Sequence, residues 1–251
     1  RDIERFFNSV PELELEEEVV GLISPHAGYV YSGQVAANAY KLVRGKQYDA
    51  VIVVGPSHRV AFHGVSVFSR GGYETPFGIV PVAEALVEKI KKASTIIENI
   101  PETHLHEHSL EIQLPFLQVA LNDFSFVPLM MGDQDVNTCR ELARAIYESA
   151  KDKKILIVGS SDLSHFYSYS KAKKMDSIIL EYLKNYDAEG LLQSLGNGEV
   201  EACGGGPIAV VMLAARMMKA DKARLLKYAN SGDVTGDKNS VVGYAAAVFC
   251  R

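Results

Sequence analysis

The chain has 251 residues, 47% of them hydrophobic and 23% charged, which excludes a disordered tail, a collagen and a coiled coil. Its 26 Lys+Arg against 31 Asp+Glu leave a formal charge of −5 with no basic stripe, so nucleic acid is not an expected partner. No apolar run approaches the ~20 residues that span a bilayer, and nothing at the N-terminus reads as a signal peptide, so no membrane contact is expected.

In chain order, a helix is expected over residues 3–10, and the acidic run 12–18 reads as a solvated surface face. Apolar, β-branched strands follow at 19–23 and 50–54, with a helix between them that Ser32 caps and that runs to about residue 43. A short edge strand fits 64–68, and Pro81 suits the first turn of a helix reaching about residue 91. Glu107 and Glu111 would share one face of a helix beginning near Glu107, with Pro115 as a break beyond it. Next come a strand at 124–129, a helix at 135–150, a strand at 155–158 and a helix at 170–183. A helix at 207–219, an edge strand at 225–229 and a strand at 241–249 complete the series.

No linker, repeat or composition break interrupts residues 1–251, which are read as a single domain. Continuous apolar strands suit a sheet covered on both faces. Strands alternating with helices then predict an α/β fold, its mixed or mostly parallel sheet sandwiched between helices.

The polar residues cluster where strands end. The first strand runs into Pro25-His26-Ala27-Gly28-Tyr29, the second into Gly55-Pro56-Ser57-His58-Arg59, and the strand at 155–158 into Ser160-Ser161-Asp162-Leu163-Ser164-His165. Ligands bind at that edge of open α/β sheets, so three such endings predict one shared site. Cys203-Gly204-Gly205-Gly206-Pro207 precedes the helix at 207–219. The glycines let backbone approach a ligand closely, and a thiol at a helix N-terminus is expected to have a lowered pKa. Cys139 and Cys250 read as packing residues, and three cysteines at unrelated spacings indicate a reducing, cytoplasmic setting. The segment His104-Leu105-His106-Glu107-His108-Ser109-Leu110-Glu111 lacks the H-E-x-x-H zinc spacing and is read as a lip of the shared site, with His108 and Glu111 lining the pocket.

These segments, with Tyr228-Ala229-Asn230-Ser231-Gly232-Asp233 and Gly243-Tyr244-Ala245-Ala246, resemble in order the Memo family (mediator of ErbB2-driven cell motility) from about Gly21 to Phe249. The chain opens in what already reads as helix, so the family segment ahead of that helix is expected to be missing. The resemblance implies a fold similar to class III extradiol dioxygenases, which hold non-haem iron(II) with two histidines and a carboxylate. By that resemblance His26, His58 and Cys203 would be metal ligands. His165 would occupy the acid/base position, with Asp162 beside it. The resemblance also implies a radical SAM protein and a third small protein as partners.

A thiolate in place of the carboxylate makes copper and zinc credible beside iron(II). The expected function is therefore a mononuclear-metal redox enzyme, iron first and copper second, acting on a small-molecule or peptide substrate. His165 would move a proton there, and Asp162 would orient it. A second expectation is a non-enzymatic adaptor that binds a phosphopeptide or other anion through the N–H groups of Gly204, Gly205 and Gly206, with Arg59 nearby. The third is a hydrolase, through zinc or through Cys203, Ser160 or Ser161 acting with His165.

Overall fold

The computed structural model describes residues 2–13 and 15–251. Helix α1 (Asp2–Ser9) buries Ile3 and Phe7, one turn apart, and leads to β1 (Val19–Ser24), buried at every residue. Helix α2 (Tyr29–Lys41) connects it to β2 (Ala50–Pro56), also buried throughout. A peripheral stretch follows: β3 (Val65–Val67), the strands β4 (Gly72–Thr75) and β5 (Gly78–Pro81), α3 (Glu84–Ala93) and β6 (Ile97–Glu98). Two 3₁₀ turns, Pro101–Thr103 and Glu111–Gln113, lead into α4 (Leu114–Ala120). The second half returns to buried strands: β7 (Phe126–Met131), α5 (Val136–Ala150) and β8 (Ile155–Ser160). Then come β9 (His165–Tyr167), α6 (Tyr169–Asn185), α7 (Ala188–Gly196), α8 (Gly205–Met217), β10 (Lys222–Asn230), α9 (Ser231–Thr235) and β11 (Val241–Cys250).

The main sheet has the order β10-β11-β1-β8-β2-β7-β3-β6, with β9 pairing β11. β1, β8, β2 and β7 are mutually parallel, while β11 joins β1 and β10 in antiparallel fashion. This is the α/β architecture expected, a mixed sheet with a parallel centre. Both faces of β1, β2, β7 and β8 are buried, so their alternating side chains need cover above and below. Helix α8 lies across β1, β8 and β2 and is backed by α5 and α7, which explains why it is apolar nearly all round. Helix α2 packs on β10, β11 and β1, with α1 and α4 beside it. Each Val, Leu or Ile removed from water in these layers contributes about 1.5–3 kcal/mol. No helix among the described residues is long and apolar enough to cross a membrane.

Several local expectations are corrected. Ser32 does not cap α2; the helix starts at Tyr29, and the buried Ser32 hydroxyl donates instead to the Ala27 carbonyl at 2.8 Å. Pro81 ends β5 opposite Gly72 in a two-stranded hairpin, where a missing N–H is tolerated, and α3 begins only at Glu84. The strand expected at 64–68 is not an edge, since β6 lies outside β3. No helix spans Glu107 to Glu111, because the Glu107 carboxylate takes up the N–H groups of His108 and Ser109. Pro115 sits in the first turn of α4 instead of breaking a helix. The acidic run is more than a solvated face: Glu17 binds Lys222 at 2.9 Å and Arg224 at 2.7 Å, tying the segment to β10. Glu14 of that run lies outside the described residues.

Candidate functional site

The parallel strands deliver their polar endings to one edge. β1 releases His26, β2 releases His58 and β8 releases Asp162, while Cys203 arrives just ahead of α8. Gly204 makes that arrival possible, because a Cβ there would collide with the Ser160 carbonyl oxygen and lie 2.8 Å from Ser161 Cβ. The outcome is a cluster in which one ligand atom each of His26, His58 and Cys203 lies within 4.8 Å of the other two. Cys203 Sγ is 3.2 Å from His26 Nε2, and the two imidazole centroids are 5.2 Å apart.

Hydrogen bonds select the ring tautomers. The Ser160 hydroxyl donates to the Ser109 carbonyl, so toward His26 it accepts, and His26 Nδ1–H donates to it at 2.9 Å. Gln113 Nε2 also donates to Ser160 Oγ, at 2.7 Å. His58 Nδ1–H donates to Glu107 Oε1 at 2.9 Å. Both rings therefore keep the Nε2 lone pair for the cluster, the arrangement seen when a second residue orients a metal-binding imidazole. A tetrahedral ion bound at about 2.1 Å from nitrogen and 2.3 Å from sulfur needs donor atoms about 3.4–3.6 Å apart. The Cys203 Sγ–His26 Nε2 separation of 3.2 Å is close to that spacing, and the remaining pairs lie within 4.8 Å.

The electrostatics also bear on a cation. Burial holds His26 below its ordinary pKa and therefore neutral, whereas the Glu107 hydrogen bond raises His58. Burial pushes the Cys203 thiol up to about 12, reinforced by the Asp162 charge. The expected lowering is thus corrected: one residue ahead of the Gly204 cap, desolvation and a neighbouring carboxylate outweigh the helix N-terminus. A metal cation would reverse that balance, since a coordinated thiol gives up its proton.

Asp162 is buried, and its Oδ1 accepts the N–H groups of His26 at 2.9 Å and Ala27 at 3.2 Å. Its own N–H donates to Cys203 Sγ at 3.3 Å. It is therefore bound to the ligand loop and does not orient His165, as the sequence had suggested. The partner of His165 is Glu201, whose Oε1 accepts the His165 backbone N–H at 3.2 Å and lies 3.7 Å from Nδ1. The reason is topological: Asp162 lies two residues past β8 and reaches the turn after β1, while His165 has moved onto β9 beside β11. Asp162 and His165 nonetheless line the same open cavity of about 570 Å³, with Tyr31, Phe166, Val242 and Tyr244.

The other expected pocket residues lie elsewhere. His108 and Glu111 are exposed and pair with each other at 2.6 Å; Glu111 lines a second cavity, of about 390 Å³, with Tyr29 and Phe77. That cavity shares no lining residue with the one at His165. Gly204 N–H donates to Ser161 Oγ, Gly205 N–H to the Ala202 carbonyl and Gly206 N–H to Gln134 Oε1. Ser160 and Ser161 are buried and bonded away from His165, and Cys203 faces His26 instead. Glu201 was not singled out in the sequence, and Glu107 and Ser160, though named there, were not expected to hold the rings of His58 and His26. Glu107 stood inside a histidine-rich segment already singled out, whereas Glu201, in an acidic stretch, carried no local signal.

Comparison with known proteins bears on the chain as a whole. A family model described as "Memo-like protein" matches residues 1–248. A "MEMO1 family protein" of Methanobrevibacter smithii is 37% identical over 246 residues, covering 96% of this chain and 87% of that protein. One of Methanosarcina mazei is 39% identical over 236 residues, covering 93% and 86%. Among solved structures, the uncharacterized protein JW3007 from Escherichia coli K12 is similar in fold, with a TM-score of 0.58 at 15% identity over 92% of this chain and 100% of that one.

Proposed function

The chain belongs to the Memo-like family, and from that premise we propose that it is a mononuclear-metal redox enzyme in which His26, His58 and Cys203 hold iron(II) or copper. The observation that carries this reading is the convergence of three ligand atoms within 4.8 Å, with both imidazole Nδ1 positions already engaged. An iron or copper ion held by His26, His58 and Cys203 would supply electron-transfer chemistry there.

The remaining tasks fall to the chain. Ser160 and Glu107 fix the ligating tautomers of His26 and His58. Asp162 clamps the His26–Ala27 backbone and borders both the ligand cluster and the cavity. His165, with Nδ1 turned to Glu201, keeps Nε2 to give or take a proton from a molecule in the cavity. An anion-binding adaptor is less well supported, because the N–H groups of Gly204, Gly205 and Gly206 are all engaged within the protein.

Metal content of anaerobically purified protein, measured by mass spectrometry beside Cys203→Ala, tests the reading. About one equivalent of iron or copper, lost in the variant, is the expected result. Stoichiometric zinc would favour hydrolysis. A folded protein without metal and without uptake on reconstitution would overturn the proposal.

A further inference from the structure

The segment that carries His165 is held in a strained backbone shape. Tyr167 pairs with Val241 and His165 with Val242, so Phe166 is one residue too many for β11 and forms a bulge. Its φ of 64° is left-handed, which a phenylalanine adopts only against strain, and its ring is 76% exposed, so little burial offsets that strain. Such bulges re-aim a side chain, here the neighbouring His165, and the strain persists only where the surroundings over-determine it.

The surroundings are polar and buried. Asp176, from the middle of α6, is fully buried and pairs with no lysine or arginine among the described residues. Its Oδ1 accepts the Ser164 N–H at 3.0 Å, and its Oδ2 accepts the Tyr228 hydroxyl at 2.7 Å. Gly243 leaves the carboxyl its room, because a Cβ there would overlap Oδ2 and lie 2.8 Å from Cγ. The Gly243 carbonyl also accepts the Leu163 N–H, and its own N–H donates to the Ser164 carbonyl. Two further buried atoms, Ser164 Oγ and Asn230 Nδ2, have no hydrogen-bond partner among the described residues. A buried carboxylate without a cation and two unpaired polar atoms are unfavourable, so an apolar filling would serve the fold alone better. Tyr228 and Gly243 open the segments 228–233 and 243–246 singled out in the sequence.

We propose that Asp176 is a positioning residue for His165. Its carboxylate holds the Ser164 N–H, is locked in turn by the Tyr228 hydroxyl and the bare Cα of Gly243, and so keeps the bulged strand presenting the imidazole to the cavity in one orientation. The proton step at His165 belongs to the proposed function, on which this assignment rests; the hold on the backbone does not depend on it.

Native-state hydrogen exchange and histidine-ring NMR spectra of chelator-treated protein provide the test, with His165→Gln identifying the His165 ring signals. In Asp176→Ala, exchange at the amides of Leu163, Ser164 and Gly243 is expected to accelerate at least about tenfold relative to Val53 in the centre of β2. The single set of His165 ring signals is expected to double or broaden. Asp176→Asn keeps an acceptor for the Ser164 N–H, so exchange is expected to stay within about threefold of the unsubstituted protein, with one set of ring signals. Tyr228→Phe removes only the hydroxyl that locks the carboxylate and is expected to accelerate the same amides about three- to tenfold. An Asp176→Ala protein with an unchanged ring, an asparagine variant as disordered as the alanine one, or equal acceleration at Val53 would overturn the assignment. If Asp176→Ala does not fold, Tyr228→Phe decides, and exchange identical to that of the unsubstituted protein would overturn it. Metal content is measured before chelation: a metal-free protein whose His165 ring follows this series would sustain the assignment while the proposed function fails.

Discussion

Glu107 grips His58 at two points: Oε2 accepts the backbone N–H at 2.6 Å, and Oε1 meets ring Nδ1 at 2.9 Å. Oε1 also accepts the N–H groups of His108 and Ser109, each at 3.0 Å. Burial alone would raise this carboxyl, but these donors hold it at about 2. One carboxylate thus fastens the turn after β2 to the 107–109 loop and sets the His58 tautomer.

Glu107→Gln keeps the shape of the side chain but removes the charge and one acceptor. Metal affinity is expected to fall about 10–100-fold, the usual effect of losing a residue that orients a ligating imidazole. Competition with a chromophoric chelator measures it, and unchanged affinity would show that His58 needs no such support.

Because the Cys203 thiol is pushed up to about 12, it is protonated near neutral pH before a cation arrives. Binding must expel that proton, and a share of His58, whose pKa is raised by Glu107, adds to the release. Affinity is therefore expected to rise at least about tenfold per unit of pH across the neutral range. Calorimetry in buffers of different ionisation enthalpy should count at least one proton per ion; none would mean that the thiolate is already present.

Gly204→Ala forces a methyl group onto the Ser160 carbonyl, between the end of β8 and the start of α8. A loss of about 1–3 kcal/mol is expected, with metal content falling as Cys203 is displaced. Gly196→Ala is the control, since a Cβ at that exposed end of α7 meets nothing within 4 Å. Its denaturation midpoint should stay the same or rise slightly, and equal losses in the two variants would contradict the steric account.

His104 supplies a pH dependence away from His26, His58 and Cys203. It is buried between Ser66 Oγ, at 3.1 Å from Nε2, and Tyr73 OH, at 2.7 Å from Nδ1. Burial lowers its pKa from 6.5 to about 4, so between those values the unfolded chain binds a proton that the folded one refuses. Stability contributed by the neutral ring is complete above 6.5 and falls with pH, by about 3 kcal/mol at pH 4. Denaturant titrations from pH 7 to 4 should show a shallower slope in His104→Gln, and identical slopes would remove His104 as the cause.

The strands were legible because β1, β2, β7 and β8 are apolar at nearly every position, a pattern that follows directly from burial on both faces. The helix expected at 135–150 begins where it was placed, and the structure shows Asp135 capping it by accepting the N–H groups of Asn137 and Thr138. Ser32 and Pro81 misled because each has a second use, back-bonding to a carbonyl or ending an exposed strand, which local sequence does not distinguish. The same holds at the cluster. His26, His58 and Asp162 share the signature of a polar residue just past a parallel strand, whereas Glu201 meets His165 across a distance in sequence that no spacing rule spans.

The sheet order has a consequence for how the chain is made. β1 leaves the ribosome early, yet its two neighbours in the sheet, β8 and β11, emerge far later. Until then a strand destined for full burial has no native partner, and its contacts must wait for closure of very long loops. Folding is therefore expected to be slow and dependent on dilution or chaperones, with aggregation as the competing outcome. The cavity wall formed by Val242 and Tyr244 rides on β11, so binding competence arrives only with the strand that closes the sheet.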